Sequence, residues 1–133
     1  TPEASMGASN VSAIPKVREF LFDLQRNIAA ENNCIMDGRD IGTVVLPNAD
    51  VKIFLTASVE ERATRRYKEM LEKGESADYD DILEDIKKRD YQDSHREIAP
   101  LKQADDAIFV DNGGYDLENG AEYLLGIIRE HLK

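Results

Sequence analysis

Val51-Lys-Ile-Phe-Leu-Thr-Ala57 runs directly into Ser58-Val-Glu-Glu61. The first run is rich in β-branched and aromatic residues and reads as a strand. Ser58 with Glu61 three positions later is a capping box, which satisfies orphan N–H groups at a helix start. A helix is therefore expected from Ser58 to about Lys73, with Gly74 as its stop. A strand feeding a helix is the unit of a parallel sheet with crossover connections, and the chain repeats the pattern on both sides. Cys34-Ile-Met, ending in Asp37-Gly38, reads as a buried strand entering a turn. Ala107-Ile-Phe-Val-Asp111 reads as a third strand, with Asn112-Gly113-Gly114 as its turn.

The remaining segments follow from period and punctuation. Val17, Phe20, Leu21, Leu24 and Ile28 recur at helical spacing behind Pro15, predicting a helix over about 14–31. Ile82, Leu83 and Ile86 mark another, running to about His95, and Pro100 closes that region. A last amphipathic helix is expected from Leu117 to Leu132. Residues 1–12 carry no strong period, 39–49 read as a loop with some extended character, and 74–79 as a polar connection. The expectation is one α/β domain over residues 1–133. Three strands make a thin parallel sheet, and such sheets normally need both faces covered, which hints that part of the arrangement lies outside these residues.

Composition narrows the function. Hydrophobic residues are 41% and charged residues 33% of 133, an ordinary globular balance. The net charge of −10 repels a nucleic-acid backbone, so no nucleic acid is expected as a partner. An anionic ligand would need a local arginine cluster. The apolar runs fall far short of a membrane span, so no membrane partner is expected. The first residues show no charged, apolar, cleavable pattern, so secretion is not expected. Cys34 is the lone cysteine, read as a small buried hydrophobe in a reducing, cytoplasmic setting. His95 and His131 show no metal spacing and read as surface residues.

Three charged groups can carry chemistry. Asp37-Gly38-Arg39-Asp40-Ile41-Gly42-Thr43 follows a predicted strand, where open α/β sheets bind ligands. Arg39 can hold a phosphate through two parallel hydrogen bonds, and Asp40 can accept from an exocyclic amine. An Asp-Gly turn with a surface ion pair is the plainer alternative. In Arg89-Asp90-Tyr91-Gln92-Asp93-Ser94-His95-Arg96, residues 89, 93 and 96 share a helix face. Two guanidinium groups around a carboxylate suit a nucleotide, although i,i+4 pairs such as Asp85 with Arg89 also merely support a helix. Arg62, Arg65 and Arg66 form the third group; Arg62 and Arg66 share a face and can clamp donor phosphates, or the group stands as a solvated charged face.

Taken in order, these segments resemble bacterial cytidylate kinases. The likeness is carried by Ser9-Asn-Val-Ser-Ala-Ile-Pro15-Lys-Val-Arg18-Glu19, Gln25-Arg26, Asp37 to Thr43, Val51 to Leu55, Glu61-Arg-Ala-Thr-Arg-Arg66, Arg89 to Arg96 and Ala99-Pro-Leu101. The resemblance implies a P-loop nucleoside monophosphate kinase-like fold, a three-layer parallel sheet here lacking its central strand. It implies transfer of a phosphoryl group from ATP, with Mg2+, to CMP or dCMP. By it, Ser9, Arg18, Asp40 and Arg96 would read the cytosine edge, Arg89 and Asp93 would hold the sugar hydroxyls, and Arg39 the CMP phosphate. Arg62 and Arg66 would meet ATP, and residues about 62–96 would form a mobile lid. Arg39, Arg62, Arg66 and Arg89 would neutralise charge on the transferred group.

The chain contains no Gly-x-x-x-x-Gly-Lys-Ser/Thr, the loop that cradles ATP phosphates. In the family that loop follows the central strand, so the chain is expected to be the C-terminal portion, with a missing N-terminal segment as its partner, and to be inactive alone. The alternative is a non-catalytic fragment that binds CMP or pairs with another chain for folding.

Overall fold

The computed structural model describes residues 2–133. The strand and helix that meet at Ser58 form as the local chemistry requires. Ile53–Thr56 is strand β1 and Val59–Glu72 is helix α3. Before them lie helices α1 (Pro2–Ser12) and α2 (Pro15–Glu31), and after them helix α4 (Tyr79–His95), strand β2 (Ile108–Asp111) and helix α5 (Leu117–His131). The Ser58 hydroxyl accepts from the Glu61 N–H at 3.1 Å and donates to the Glu61 carboxylate at 3.2 Å. In the standard box that carboxylate instead accepts from the cap residue's own N–H. At the other end, Gly74 takes a left-handed φ of 71°. Its N–H reaches Leu71 O at 3.0 Å, and the Glu75 N–H reaches Met70 O at 2.9 Å. This paired closure of the last carbonyls favours glycine at the turn.

β1 and β2 pair in parallel, Ile53 opposite Ile108 and Thr56 opposite Asp111. Bonds from Ile108 N to Lys52 O and from Asn112 N to Thr56 O, both 2.9 Å, extend the ladder at each end. Parallel strands cannot be joined by a hairpin, and α3 with α4 supplies the crossover. Ala63, fully buried, lies on α3 and Ile82 is buried on α4. Lys52 is a buried cation at the start of this layer. Its ammonium is satisfied by Asp106 at 2.7 and 2.8 Å and by Pro47 O, as a buried charge requires.

The remaining predicted strand does not form. Residues 33–37 are irregular, Ile35 is 89% exposed and Cys34 is exposed rather than buried. A strand needs a neighbour for its N–H and C=O groups, and among the described residues none runs beside this one. The sheet therefore has two strands, against three expected. Two further segments depart from expectation. Most of residues 1–12 form α1, and within 39–49 the chain makes a π-helical turn, Ile41–Val45. Its wide bonds run from Val45 N to Asp40 O at 3.1 Å and from Leu46 N to Ile41 O at 2.7 Å. A five-residue turn is too short to show a period in sequence.

Helix α2 buries none of its residues, and Phe20 on it is 68% exposed. The accessible surface is 9573 Å² at 15.0 kDa, against roughly 7,000 Å² for a compact monomer of that mass. Among the described residues no helix is long and apolar enough to cross a membrane. Removing the cap of α3 tests the local account. Ser58→Ala should cost about 1 kcal/mol, read as a lower urea midpoint at unchanged slope. An unmoved midpoint would mean that the Ser58 bonds contribute nothing.

Candidate functional site

The π turn fixes Asp40. Its carbonyl accepts from Val44 N at 2.9 Å and Val45 N at 3.1 Å, so its backbone is held from one side. Its side chain, 12% exposed, meets Arg18 of α2 in a short ion pair. Arg18 also donates to Ser12 O at 3.2 Å, which joins α2 to the end of α1. On the other side of Asp40, Arg96 Nη2 stands 3.9 Å from Oδ1. The carboxylate thus lies between two guanidinium groups.

The preceding residue makes a second cluster. Arg39 Nε donates to Asp93 Oδ2 at 2.8 Å, and Arg89 Nε lies 3.7 Å from the same oxygen. Asp93 is 5% exposed and sits one helical turn beyond Arg89 on α4. Four guanidinium groups face two carboxylates, so this corner carries two excess positive charges in a chain of net −10. Burial holds Arg96 below the usual guanidinium range, with Arg18 adding to the effect and Asp40 opposing it. Arg89 is lowered by burial first and then by Arg39. Both remain cations, but cations held at a cost that a bound anion would offset.

Between these clusters lies a cavity of about 450 Å³. Ser9, Arg18, Arg39, Asp40, Arg89, Asp93 and Arg96 all line it. These are the seven residues that the sequence proposed for an acceptor nucleotide, drawn from α1, α2, the π turn, α4 and the loop beyond it. Gln25, quoted above for the family likeness but given no site role, lines it too, as do Phe22 and Ile98, which were not singled out. Nothing in the local pattern marks Phe22 or Ile98, since Phe22 reads as one more apolar position of α2. Volume and lining suit a mid-sized organic anion with an apolar face.

Arg62 and Arg66 lie outside that lining. Arg62 donates twice to Asp90 of α4, at 2.9 and 2.5 Å, and through Nε to Ala57 O at 3.1 Å. The Asp90 bond raises its pKa, partly opposed by burial. It therefore ties the end of β1 to α4. Asp90 was not picked out from the sequence, where it is one acid among many. Arg66 is half-buried and close enough to Arg89 to depress it electrostatically. Arg65 instead closes the turn after β2, donating to Asn112 O at 2.7 Å. Among the described residues no three His, Cys, Asp or Glu side chains stand together to hold a metal ion.

The family model for cytidylate kinase matches residues 1–130. The chain is 52% identical over 128 residues to a protein named cytidylate kinase from Carboxydothermus hydrogenoformans, covering 96% of this chain and 58% of that one. It is 56% identical over 122 residues to one from Streptococcus sanguinis, covering 92% and 54%, and 52% identical to one from Streptococcus pyogenes over the same shares. The chain thus spans a little over half the length of the curated relatives it matches.

Proposed function

The chain belongs to the cytidylate kinase family, and we propose that it is the C-terminal part of an enzyme that transfers the γ-phosphoryl group of ATP to CMP or dCMP, giving CDP or dCDP. The observation that carries this is the cavity itself, where Asp40 stands between Arg18 and Arg96, and Asp93 between Arg39 and Arg89. In this assignment Asp40 accepts from the cytosine amine, the group that uracil replaces with a carbonyl. Ser9, Arg18 and Arg96 complete the base site. Arg89 and Asp93 hold the sugar hydroxyls. Arg39 turns from Asp93 to the CMP phosphate and, with Arg89, steadies the acceptor as charge shifts in transfer.

The donor side needs more than these residues. The sequence has no phosphate loop, and the described residues offer no metal cluster. We assign the phosphate loop and the protein contacts of Mg2+–ATP to an N-terminal segment that this chain partners. Its strand would run beside residues 33–37 and β1, completing a three-layer sheet of the P-loop kinase type. The excess surface and the bare face of α2 are what such a segment would cover. Residues about 62–96 act as the lid. Arg62 and Arg66 reach ATP as it closes, with Arg62 exchanging Asp90 for phosphate oxygens. The acidic net charge argues against nucleic acid as a substrate, and a cytoplasmic location fits the lone, exposed Cys34.

A second assignment is favoured by one observation: the acceptor cavity is formed here without any phosphate loop. The chain by itself would then bind CMP without turning it over.

Three measurements test these assignments. In the full-length enzyme, Asp40→Ala should lower the CMP/UMP ratio of kcat/KM by about tenfold or more, the worth of one hydrogen bond to a charged group. An unchanged ratio would remove Asp40 from base reading. Amide hydrogen exchange over residues 62–96 should slow when both nucleotides bind, because a lid orders only on closure; equal rates with and without ligand would mark a rigid hairpin. The 133-residue chain should release no ADP in a CMP-dependent assay and should gain activity when the N-terminal segment is added in trans. Turnover near 10 s⁻¹, a typical enzyme rate, by the chain alone would place the donor site within it.

A further inference from the structure

Arg96 is tied at one end of its guanidinium and open at the other. Its Nε–H donates to Ala99 O at 2.6 Å. Its Nη2 is buried, with no hydrogen-bond partner among the described residues and Asp40 Oδ1 3.9 Å away. A guanidinium is planar, so holding the Nε–H narrows the orientations open to the group and with them the aim of Nη2.

The carbonyl that does this belongs to an unusual residue. Ala99 has φ 49°, the one left-handed non-glycine backbone among the described residues. A Cβ is crowded there against the following carbonyl. Pro100 comes next, and a residue before proline is biased to extended backbone. Two local preferences thus oppose the conformation found. Strain of this kind persists where the surroundings over-determine it, and it gathers at ligand sites. The surroundings are visible. α4 ends at Arg96, whose own backbone is extended at φ −66° and ψ 146°. The chain then doubles back until the Leu101 N–H reaches Asp93 O, an orphan carbonyl of the last turn, at 2.7 Å. Ile98 and Ala99 become part of the cavity wall.

We infer that Ala99 is a positioning residue for base selectivity: its left-handed backbone turns its carbonyl onto Arg96 Nε and so aims Nη2 at an acceptor on the edge of the bound pyrimidine. The pyrimidine rests on the cytidylate assignment above, while the hold of Ala99 on Arg96 does not. With Ala99 extended, its carbonyl would leave Nε, and Arg96 could settle its charge fully on Asp40, the group assigned to the cytosine amine. One backbone torsion would then govern both partners of the base.

The test uses the full-length enzyme with two substitutions. Ala99→Gly keeps the left-handed region accessible, whereas Ala99→Val adds a β-branched side chain that disfavours it. The first readout is exchange of the Arg96 Nε–H by ¹⁵N NMR, the signal being assigned by its loss in Arg96→Lys. The second is the CMP/UMP ratio of kcat/KM. The expected result is a protected Nε–H and an unaltered ratio in the glycine variant. In the valine variant protection should be lost and the ratio should fall about tenfold, as for one hydrogen bond to a charged group, through KM for CMP and with KM for ATP unmoved. Undiminished protection in the valine variant, or none in the unsubstituted enzyme, would overturn the inference, as would lost protection with an unaltered ratio. Absence of CMP turnover by the unsubstituted enzyme would remove the kinase assignment and the selectivity step with it, while the exchange rates would still decide whether Ala99 holds Arg96.

Discussion

Arg39 and Asp40 are neighbours in the chain, yet each is bonded to a different helix. Asp40 turns to Arg18 of α2, and Arg39 turns to Asp93 of α4. One dipeptide therefore links two helices that share little apolar contact. Among the described residues the buried apolar side chains are few and mostly small: Val45, Ala57, Ala63, Ile82 and Val110. Where hydrophobic burial is this thin, hydrogen-bonded charges carry an unusual part of the organisation. Charges taken out of water are stable only if paired and satisfied, and this constraint sets where α2 and α4 stand. The cavity is the space left between helices so placed.

The sheet answers to a separate constraint. A parallel pair needs a crossover, and the crossover here is the α3–α4 pair. Arg62 reaches from α3 to Ala57 O at the end of β1 and to Asp90 on α4. The helix face bearing Arg89 and Asp93 is thereby referred back to the strand. Lys52 does the corresponding work at the start of the strand, joining Pro47 and Asp106. Asp106 is held below the usual carboxylate range mainly by that lysine. Its folded-state pKa is depressed, so its contribution is present above the ordinary value of about 3.9 and is lost as pH falls through the folded value.

Helix α2 leaves Phe20, Leu21, Leu24 and Ile28 exposed. Scattered exposed leucines are normal. A whole helix without one buried residue, beside an unpaired apolar segment at 33–37, is not. The chain spans only 58% and 54% of the relatives it matches, and the N-terminal segment proposed above would give those surfaces something to pack against. The cavity stands on the side of α2 that faces α1 and the π turn, and residues of this chain line it.

Much of this was legible in the sequence because its causes are local. Helix bonds span four residues, so the apolar period of α2, the Ser58 cap and the Gly74 stop announce their elements within a few positions. Of the seven cavity residues, Arg39, Asp40, Arg89, Asp93 and Arg96 were legible in charged motifs, each with an ordinary alternative that spacing could not dismiss, while Ser9 and Arg18 came only with the family resemblance. Their convergence was decided by tertiary structure, since Arg18 and Asp40 lie 22 positions apart and Arg39 and Asp93 lie 54. The same holds for Cys34-Ile35-Met36, whose composition reads as a strand but whose strand state depends on a neighbour elsewhere. The pairing of Arg62 with Asp90 and the left-handed turn at Ala99 were likewise beyond local rules. Each is a conformation that the residue's own preferences do not choose and that contacts distant in sequence impose.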